Sequence, residues 1–228
     1  MEVGRLSAAQ VAHFRSEGYL IVPDFVEPPV IEDWREQFWA RHAAAGARRD
    51  EPQTWSRIGT TEEDKWMALQ PLFGDLPQMR QAVAQLGGAE FVPGTRPGER
   101  TDMMIATLPG TINRLSADMK GTATRQEPAG DKKERQMPHI DGTAKHRGQP
   151  GVGMMLGATT YLYDVEEDGG SFCFWPRTHL ATHRYFLEHP EKQTTLGVSF
   201  EEVFGADWRA RESIEFTAKA GTAVFWHS

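Results

Sequence analysis

The chain has 228 residues, of which 39% are hydrophobic and 25% are charged, a composition typical of globular proteins and unlike that of disordered or membrane-spanning chains. Its net charge of -7 argues against a nucleic-acid partner, because phosphate binding requires clustered Lys and Arg. We expect a cytoplasmic protein, since Cys173 is the only cysteine, the N-terminus lacks a secretory signal, and no apolar run could span a membrane.

The first predicted elements are a short helix and a strand. Ser7 to Gln10 has the spacing of an N-terminal capping box, and Val11 and Phe14 then fall on one helical face. Gly18 offers a left-handed stop, and the β-forming run Tyr19 to Val22 follows. The pattern predicts helix, turn and strand.

Two further helices are predicted in the first half of the chain. Pro28 and Pro29 favour a helix start, and apolar or aromatic residues recur after them at the spacing of a buried face: Val30, Trp34, Phe38 and His42. The other helix is expected around Leu76 to Leu86. The polar, irregular segment 48–71 between them is predicted to be a loop region with the character of a lid.

The second half is predicted to contain mainly strands. Met154 to Asp164, Ser171 to Trp175 and Gly221 to Trp226 are rich in β-formers and bounded by turn residues, whereas Arg125 to Arg135 has the composition of a loop. Helices followed by strands indicate one α+β domain over residues 1–228, mainly β, built as a jelly roll with helices packed on the sheet.

His139 and Asp141 form the most informative short motif. Side chains two residues apart on an extended chain point to the same side, so both can reach one metal ion. Two His and one carboxylate on one face of iron leave positions open for a cosubstrate and O₂. Alone, this spacing is weak evidence, because a His hydrogen-bonded to a nearby carboxylate is the commoner arrangement.

Four segments, taken in order, resemble the phytanoyl-CoA dioxygenase family. They are the helix and strand from Phe14 to Phe25, the polar loop Gln126 to Glu134 leading to Pro138-His139-Ile140-Asp141, the segment from Asp164 through Phe174 to His179, and the strand Gly221 to His227. The resemblance implies a double-stranded β-helix, a cupin-like jelly roll. It also implies an oxygenase that uses Fe(II), O₂ and 2-oxoglutarate, converts 2-oxoglutarate to succinate and oxidises a small organic molecule. The charge and the lack of a long apolar run predict no nucleic-acid or membrane partner.

The resemblance also suggests individual site residues. His139 and Asp141 match the iron ligands, and Gln126 and Thr159 match positions that contact 2-oxoglutarate in relatives. A solvated loop residue and a β-branched strand former are the alternative interpretations of the last two. His179 is interpreted as a residue that stabilises a turn.

The sequence leaves two alternatives for the identity of the third metal ligand. In relatives it follows the segment equivalent to Gly221–His227 by about five residues, with a 2-oxoglutarate-binding Arg after it. Either His227 serves as this ligand, or the ligand is a residue beyond Ser228 and the chain is truncated at the C-terminal end of the jelly roll. We expect the second alternative. Two other functions remain open: a cupin-type metal protein without a cosubstrate, and a degenerate family member that binds without catalysis.

Overall fold

The structure is a computed structural model that describes residues 5–58, 69–87, 111–115, 124–128, 140, 156–166, 173–194, 200–206 and 211–227. Its helices are α1 Ala8–Glu17, α2 Pro28–Ala43, α3 Pro77–Gly87, α4 Thr178–Glu188 and α5 Phe200–Phe204. Its strands are β1 Tyr19–Val22, β2 Thr111–Leu115, β3 Thr124–Pro128, β4 Leu156–Thr160, β5 Cys173–Phe174, β6 Ile214–Glu215 and β7 Ala223–His227. Short 3-10 helices lie at Pro52–Arg57, Phe73–Asp75 and Pro190–Thr194. Helices with small antiparallel sheets make this an α+β protein.

Helix α1 begins and ends as the sequence predicts. The Ser7 hydroxyl accepts a hydrogen bond from the Gln10 backbone N–H, and the Gln10 side chain accepts one from the Ser7 N–H at 2.8 Å. Gly18 adopts a left-handed conformation with φ of 81°, and its N–H donates to the Phe14 carbonyl. Both predicted signals are confirmed, and they direct the chain straight into β1.

Helix α2 packs one face into the larger core. Its buried residues are Ile31, Trp34, Phe38 and His42. Three of these were predicted from the helical spacing, whereas Val30, the fourth predicted position, is only half-buried and the neighbouring Ile31 is buried in its place. The Trp34 indole N–H donates to the Pro71 carbonyl at 2.8 Å, which ties α2 to the segment before α3.

The central sheet has the strand order β1-β7-β4, and both pairings are antiparallel. Leu20 lies opposite Phe225, which lies opposite Ala158, while Val224 in the next row lies opposite Thr159. Because successive side chains on a strand point to opposite sides, these two rows belong to opposite faces of the sheet.

The two faces are covered by different elements. Ala223 and Phe225 pack into the core formed with the helices, and the Phe25 and Phe225 rings meet edge to face at 5.2 Å. On the other face, Val224 packs with Phe174 of β5 and with Phe216, which follows β6. We call the first the helix face and the second the β5/β6 face, because β5 and β6 pair with each other there.

The second half departs from the sequence prediction at one strand and one helix. Residues 125–128, predicted as loop, belong to strand β3, which pairs with β2. Strand β4 pairs with β7, and β5 pairs with β6. Helix α4 was not predicted, and it occupies Thr178–Glu188 directly after the short β5. Among the described helices, none has both the length and the apolar character needed to cross a membrane.

Candidate functional site

The two predicted iron ligands, His139 and Asp141, lie outside the described residues, but the residue between them is described. Ile140 is buried and packs with Trp175 and Phe186. Burial of a large apolar side chain is favourable, so the chain at Ile140 is held against α4 and the segment that joins β5 to α4.

Gln126, the first predicted 2-oxoglutarate contact, lies on β3. Its backbone is opposite Asn113 of β2, in the middle of a five-residue antiparallel pairing. The position of its side chain is outside the described part of the structure. The predicted contact with 2-oxoglutarate therefore stays a prediction.

Thr159, the second predicted contact, lies on β4 and faces the β5/β6 side of the sheet, in the same row as Val224. Its hydroxyl oxygen accepts a hydrogen bond from the indole N–H of Trp226 at 3.2 Å. The neighbouring Gly157 allows the indole to lie on the strand, because a Cβ there would stand 2.3 Å from the Trp226 ring. Thr159 is thus a polar group among aromatic and aliphatic side chains.

His227, the candidate third ligand, faces the opposite side. Its ring lies 4.7 Å from the Phe14 ring of α1 and 5.3 Å from the His179 ring, nearly parallel to the latter. Its backbone N–H donates to the Gly18 carbonyl at 2.9 Å. His227 therefore packs at the end of β7 against the C-terminal end of α1.

The register of the sheet separates Thr159 from His227. Thr159 pairs with Val224, and His227 is three positions after Val224 on β7, so the Thr159 and His227 side chains emerge on opposite faces. The predicted contact of Thr159 with 2-oxoglutarate and the predicted metal binding by His227 stay predictions, and the two side chains lie on opposite faces of the sheet. Among the residues that the structure describes, no group of three or more His, Cys, Asp or Glu side chains is arranged to hold a metal ion.

A polar clamp joins the end of α1 to the start of α4. The Arg177 guanidinium donates two hydrogen bonds to the Glu17 carboxylate at 2.8 and 3.0 Å, and the Arg177 backbone N–H donates to the Glu17 carbonyl. The bonded guanidinium lowers the pKa of Glu17. His179 is buried, and its Nε2 lies 3.1 Å from the Arg15 carbonyl oxygen, so it acts as a donor and holds this junction together.

Arg177 has a left-handed backbone with φ of 65°. This conformation is unusual for a residue with a side chain, and glycine adopts it without penalty. This chain has Pro176-Arg177-Thr178-His179 here, and the segment that it resembles in the family ends in Pro-Gly-Ser-His or a close variant. Arg177 adopts this conformation in this chain, and its side chain bonds to Glu17.

Sequence reasoning did not single out Trp226, which hydrogen-bonds to the predicted site residue Thr159. The available signal was the alternation along β7, since Val224 and Trp226 fall on one face while Ala223, Phe225 and His227 fall on the other. Two-residue periodicity alone does not tell which face is covered by helices. The packing shows that Trp226 shares the face of Thr159.

Comparison with protein families identifies the chain's relatives. The family model for phytanoyl-CoA dioxygenase (PhyH) matches residues 14–228, which is nearly the whole sequence. The chain belongs to the phytanoyl-CoA dioxygenase family. Members of this family are generally Fe(II)- and 2-oxoglutarate-dependent oxygenases, and this membership indicates an oxygenase. Searches of curated proteins and of solved structures give no match.

The described residues allow a test of whether the family's cosubstrate fits this chain. A dicarboxylate needs hydrogen-bond donors in a partly dry environment. On the β5/β6 face, the Thr159 hydroxyl accepts from Trp226 and so retains its own hydrogen for donation. A hydroxyl donor of this kind is compatible with a carboxylate acceptor, and the contact between Thr159 and 2-oxoglutarate stays a prediction.

Proposed function

We propose that the chain is an Fe(II)- and 2-oxoglutarate-dependent oxygenase that oxidises a small organic molecule, most simply by hydroxylation. The observation that carries this proposal is the match to the phytanoyl-CoA dioxygenase family over residues 14–228. The bound iron and 2-oxoglutarate would supply the oxidising chemistry with O₂, and the protein's part is binding, orientation and exclusion of water.

In this proposal each site residue has one task. His139 and Asp141 hold the iron, since imidazole and carboxylate suit non-haem Fe(II). Thr159 donates its hydroxyl hydrogen to a carboxylate of 2-oxoglutarate, and Gln126 contributes an amide.

Aromatic side chains on the β5/β6 face keep water away from this carboxylate: Tyr19 and Phe174 have ring centroids 4.5 Å apart, and Tyr161 stacks on Phe216 at 5.6 Å.

The proposal extends to the fold and to His227. The central sheet and the β5/β6 pair, which pack on each other through Val224, Phe174 and Phe216, are taken as parts of the double-stranded β-helix. His227 is assigned to packing against Phe14 and His179, because it faces away from Thr159. Under this assignment the third iron ligand is a residue other than His227.

The proposal is tested by replacing the two predicted ligands. We expect His139→Ala and Asp141→Ala to abolish Fe(II) binding under anaerobic conditions and 2-oxoglutarate-dependent succinate formation, since each removes a ligand that the metal needs. His183→Ala is the matched control, because His183 is an exposed histidine on α4. It should retain both properties.

Two results would contradict the proposal in different ways. Fe(II) binding without 2-oxoglutarate binding or succinate formation would favour a cupin-type metal protein without a cosubstrate. No binding of either Fe(II) or 2-oxoglutarate by the unaltered chain would favour a degenerate family member. Retention of iron by both ligand variants would refute the assignment of His139 and Asp141.

A further inference from the structure

The hydrogen bond from Trp226 to Thr159 leaves the threonine hydroxyl able to donate its hydrogen. An indole N–H is only a donor, so it must use a lone pair of the Thr159 oxygen, 3.2 Å away. The hydroxyl then keeps its own hydrogen. Within the described part of the chain, the indole is the hydrogen-bond partner of this side chain, so that hydrogen is available to an acceptor from outside.

The position of the indole is itself determined by the strand beneath it. A Cβ on Gly157 would lie 2.3, 2.5 and 2.7 Å from three carbons of the Trp226 ring, so the ring rests on bare backbone. Gly157 and Trp226 are cross-strand partners, and Thr159 is two residues further along the same face. Strand register therefore holds the indole N–H at the Thr159 oxygen.

The surroundings strengthen a donor at this place. Trp226 is half-buried and packs with the apolar group around Val224, Phe174 and Phe216. Hydrogen bonds to an ionised acceptor are stronger in such surroundings than in water. A carboxylate can accept the hydroxyl hydrogen, while the indole N–H uses one of the two lone pairs of the Thr159 oxygen.

We propose that Trp226 is a positioning residue for 2-oxoglutarate, which acts by fixing the Thr159 hydroxyl as a donor to one cosubstrate carboxylate. This inference rests on the proposed function. It adds a residue that does not contact the iron or the reacting atoms, and it predicts that Trp226 and Thr159 behave as a coupled pair.

The experiment compares Trp226→Phe, Thr159→Val, Thr159→Ser and the double variant Trp226→Phe/Thr159→Val. Affinity for 2-oxoglutarate is measured on the Fe(II)-loaded full chain without O₂, so that turnover plays no part. We expect about ten- to a hundredfold weaker binding for Thr159→Val and about three- to tenfold for Trp226→Phe. The double variant should match Thr159→Val, and Thr159→Ser should stay close to the unaltered chain.

A second readout needs neither metal nor cosubstrate. The indole N–H resonance of Trp226, assigned by its loss in Trp226→Phe, should move upfield in Thr159→Val and stay in place in Thr159→Ser. Trp39→Phe is the matched control, because it removes an indole hydrogen bond of 2.6 Å to Tyr163 on the protein surface. It should leave 2-oxoglutarate affinity unchanged.

The outcomes separate this inference from the proposed function. If the unaltered chain binds 2-oxoglutarate but Trp226→Phe binds it equally well, or if Thr159→Val leaves the indole resonance in place, the positioning role is refuted alone. If the unaltered chain does not bind 2-oxoglutarate, the proposed function fails and the inference fails with it. Should Trp226→Phe not fold, the Thr159→Val and Thr159→Ser pair decides through both readouts.

Discussion

Gly18 shows how much of the architecture depends on a single residue. Its φ of 81° ends α1, and a Cβ placed on it would stand 2.3 Å from Nδ1 of the buried His179. Glycine is needed here for two reasons, the left-handed backbone and the close approach of a ring from α4. The sequence signals only the first, because His179 is distant along the chain.

Replacement of Gly18 by alanine separates the two reasons when Gly205 is used as the matched control. Gly205 also has a positive φ, 74°, but a Cβ there meets no described atom within 4 Å. Both Gly18→Ala and Gly205→Ala bear the cost of a left-handed alanine, about 1–2 kcal/mol. Only Gly18→Ala must also displace His179, and overpacking of this kind typically costs about 1–3 kcal/mol more.

The measurement is the free energy of unfolding of both variants in urea. Gly18→Ala should be the less stable variant, and it should also disturb the junction between α1 and α4. Equal destabilisation of the two variants would show that the His179 ring moves away without a cost in unfolding free energy, and that the close contact does not affect stability.

At the scale of elements, one carboxylate connects three helical segments. The Tyr185 hydroxyl of α4 donates to the Glu202 carboxylate of α5 at 2.7 Å, and Lys192 donates to the same oxygen at 2.5 Å. Burial raises the pKa of Tyr185 to about 12, and the bond to Glu202 acts in the same direction. The bond to Glu202 also raises the pKa of Lys192.

These shifts predict how stability changes at alkaline pH. With a tyrosine pKa near 10 in the unfolded chain and about 12 in the folded one, the folded state holds a proton in this window that the unfolded state has lost. The stabilisation by Tyr185 is complete below pH 10 and disappears as pH rises toward 12. Tyr185→Phe should make the loss of unfolding free energy in this window shallower.

Glu202→Gln serves as the comparison, because it weakens the connection but leaves a tyrosine that can ionise. Unfolding free energies at several pH values, together with phenolate absorbance of the folded chain, provide the check. A Tyr185→Phe variant whose alkaline slope equals that of the unaltered chain would contradict the assignment of this slope to Tyr185.

Elements with local signals were predicted well, and elements without them were not. Helix α1 and strand β1 follow from a capping box and one glycine, all within neighbouring residues. Helix α4 lacks such a start, because its N-cap residue Arg177 is left-handed and makes no side-chain cap. Strand β3 is polar and ends in Pro128, so its composition indicates a loop, and only the pairing with β2 makes it a strand.

At the scale of the whole molecule, the central sheet lies between the helices and the β5/β6 pair, so its two faces pack against different elements. The sequence could indicate that Thr159 and His227 both lie on strands. It could not indicate their faces, because a shift of one residue in strand register exchanges the sides of every side chain. The observed register directs Thr159 toward Trp226, and His227 toward Phe14 and His179.

The proposed site also has a consequence for the stability of the entire chain. Its predicted residues come from separate segments, His139 and Asp141 from one and Thr159 from β4. A ligand that binds only the folded chain stabilises it by about 2.7 kcal/mol at a hundredfold excess over its dissociation constant. For a chain of this size, that corresponds to a rise of roughly 5–10 °C in the melting temperature.

Fe(II) added without O₂ should therefore raise the melting temperature of the unaltered chain and of the exposed-histidine control His183→Ala, but not that of His139→Ala. Addition of 2-oxoglutarate should raise it further in the first two, and less in Thr159→Val, because that variant lacks the hydroxyl donor. Thermal unfolding followed by circular dichroism, with each ligand alone and with both, gives all the required values. An equal rise in His139→Ala would show that iron binds elsewhere on the molecule, and the location of the site at His139 and Asp141 would then have to be abandoned.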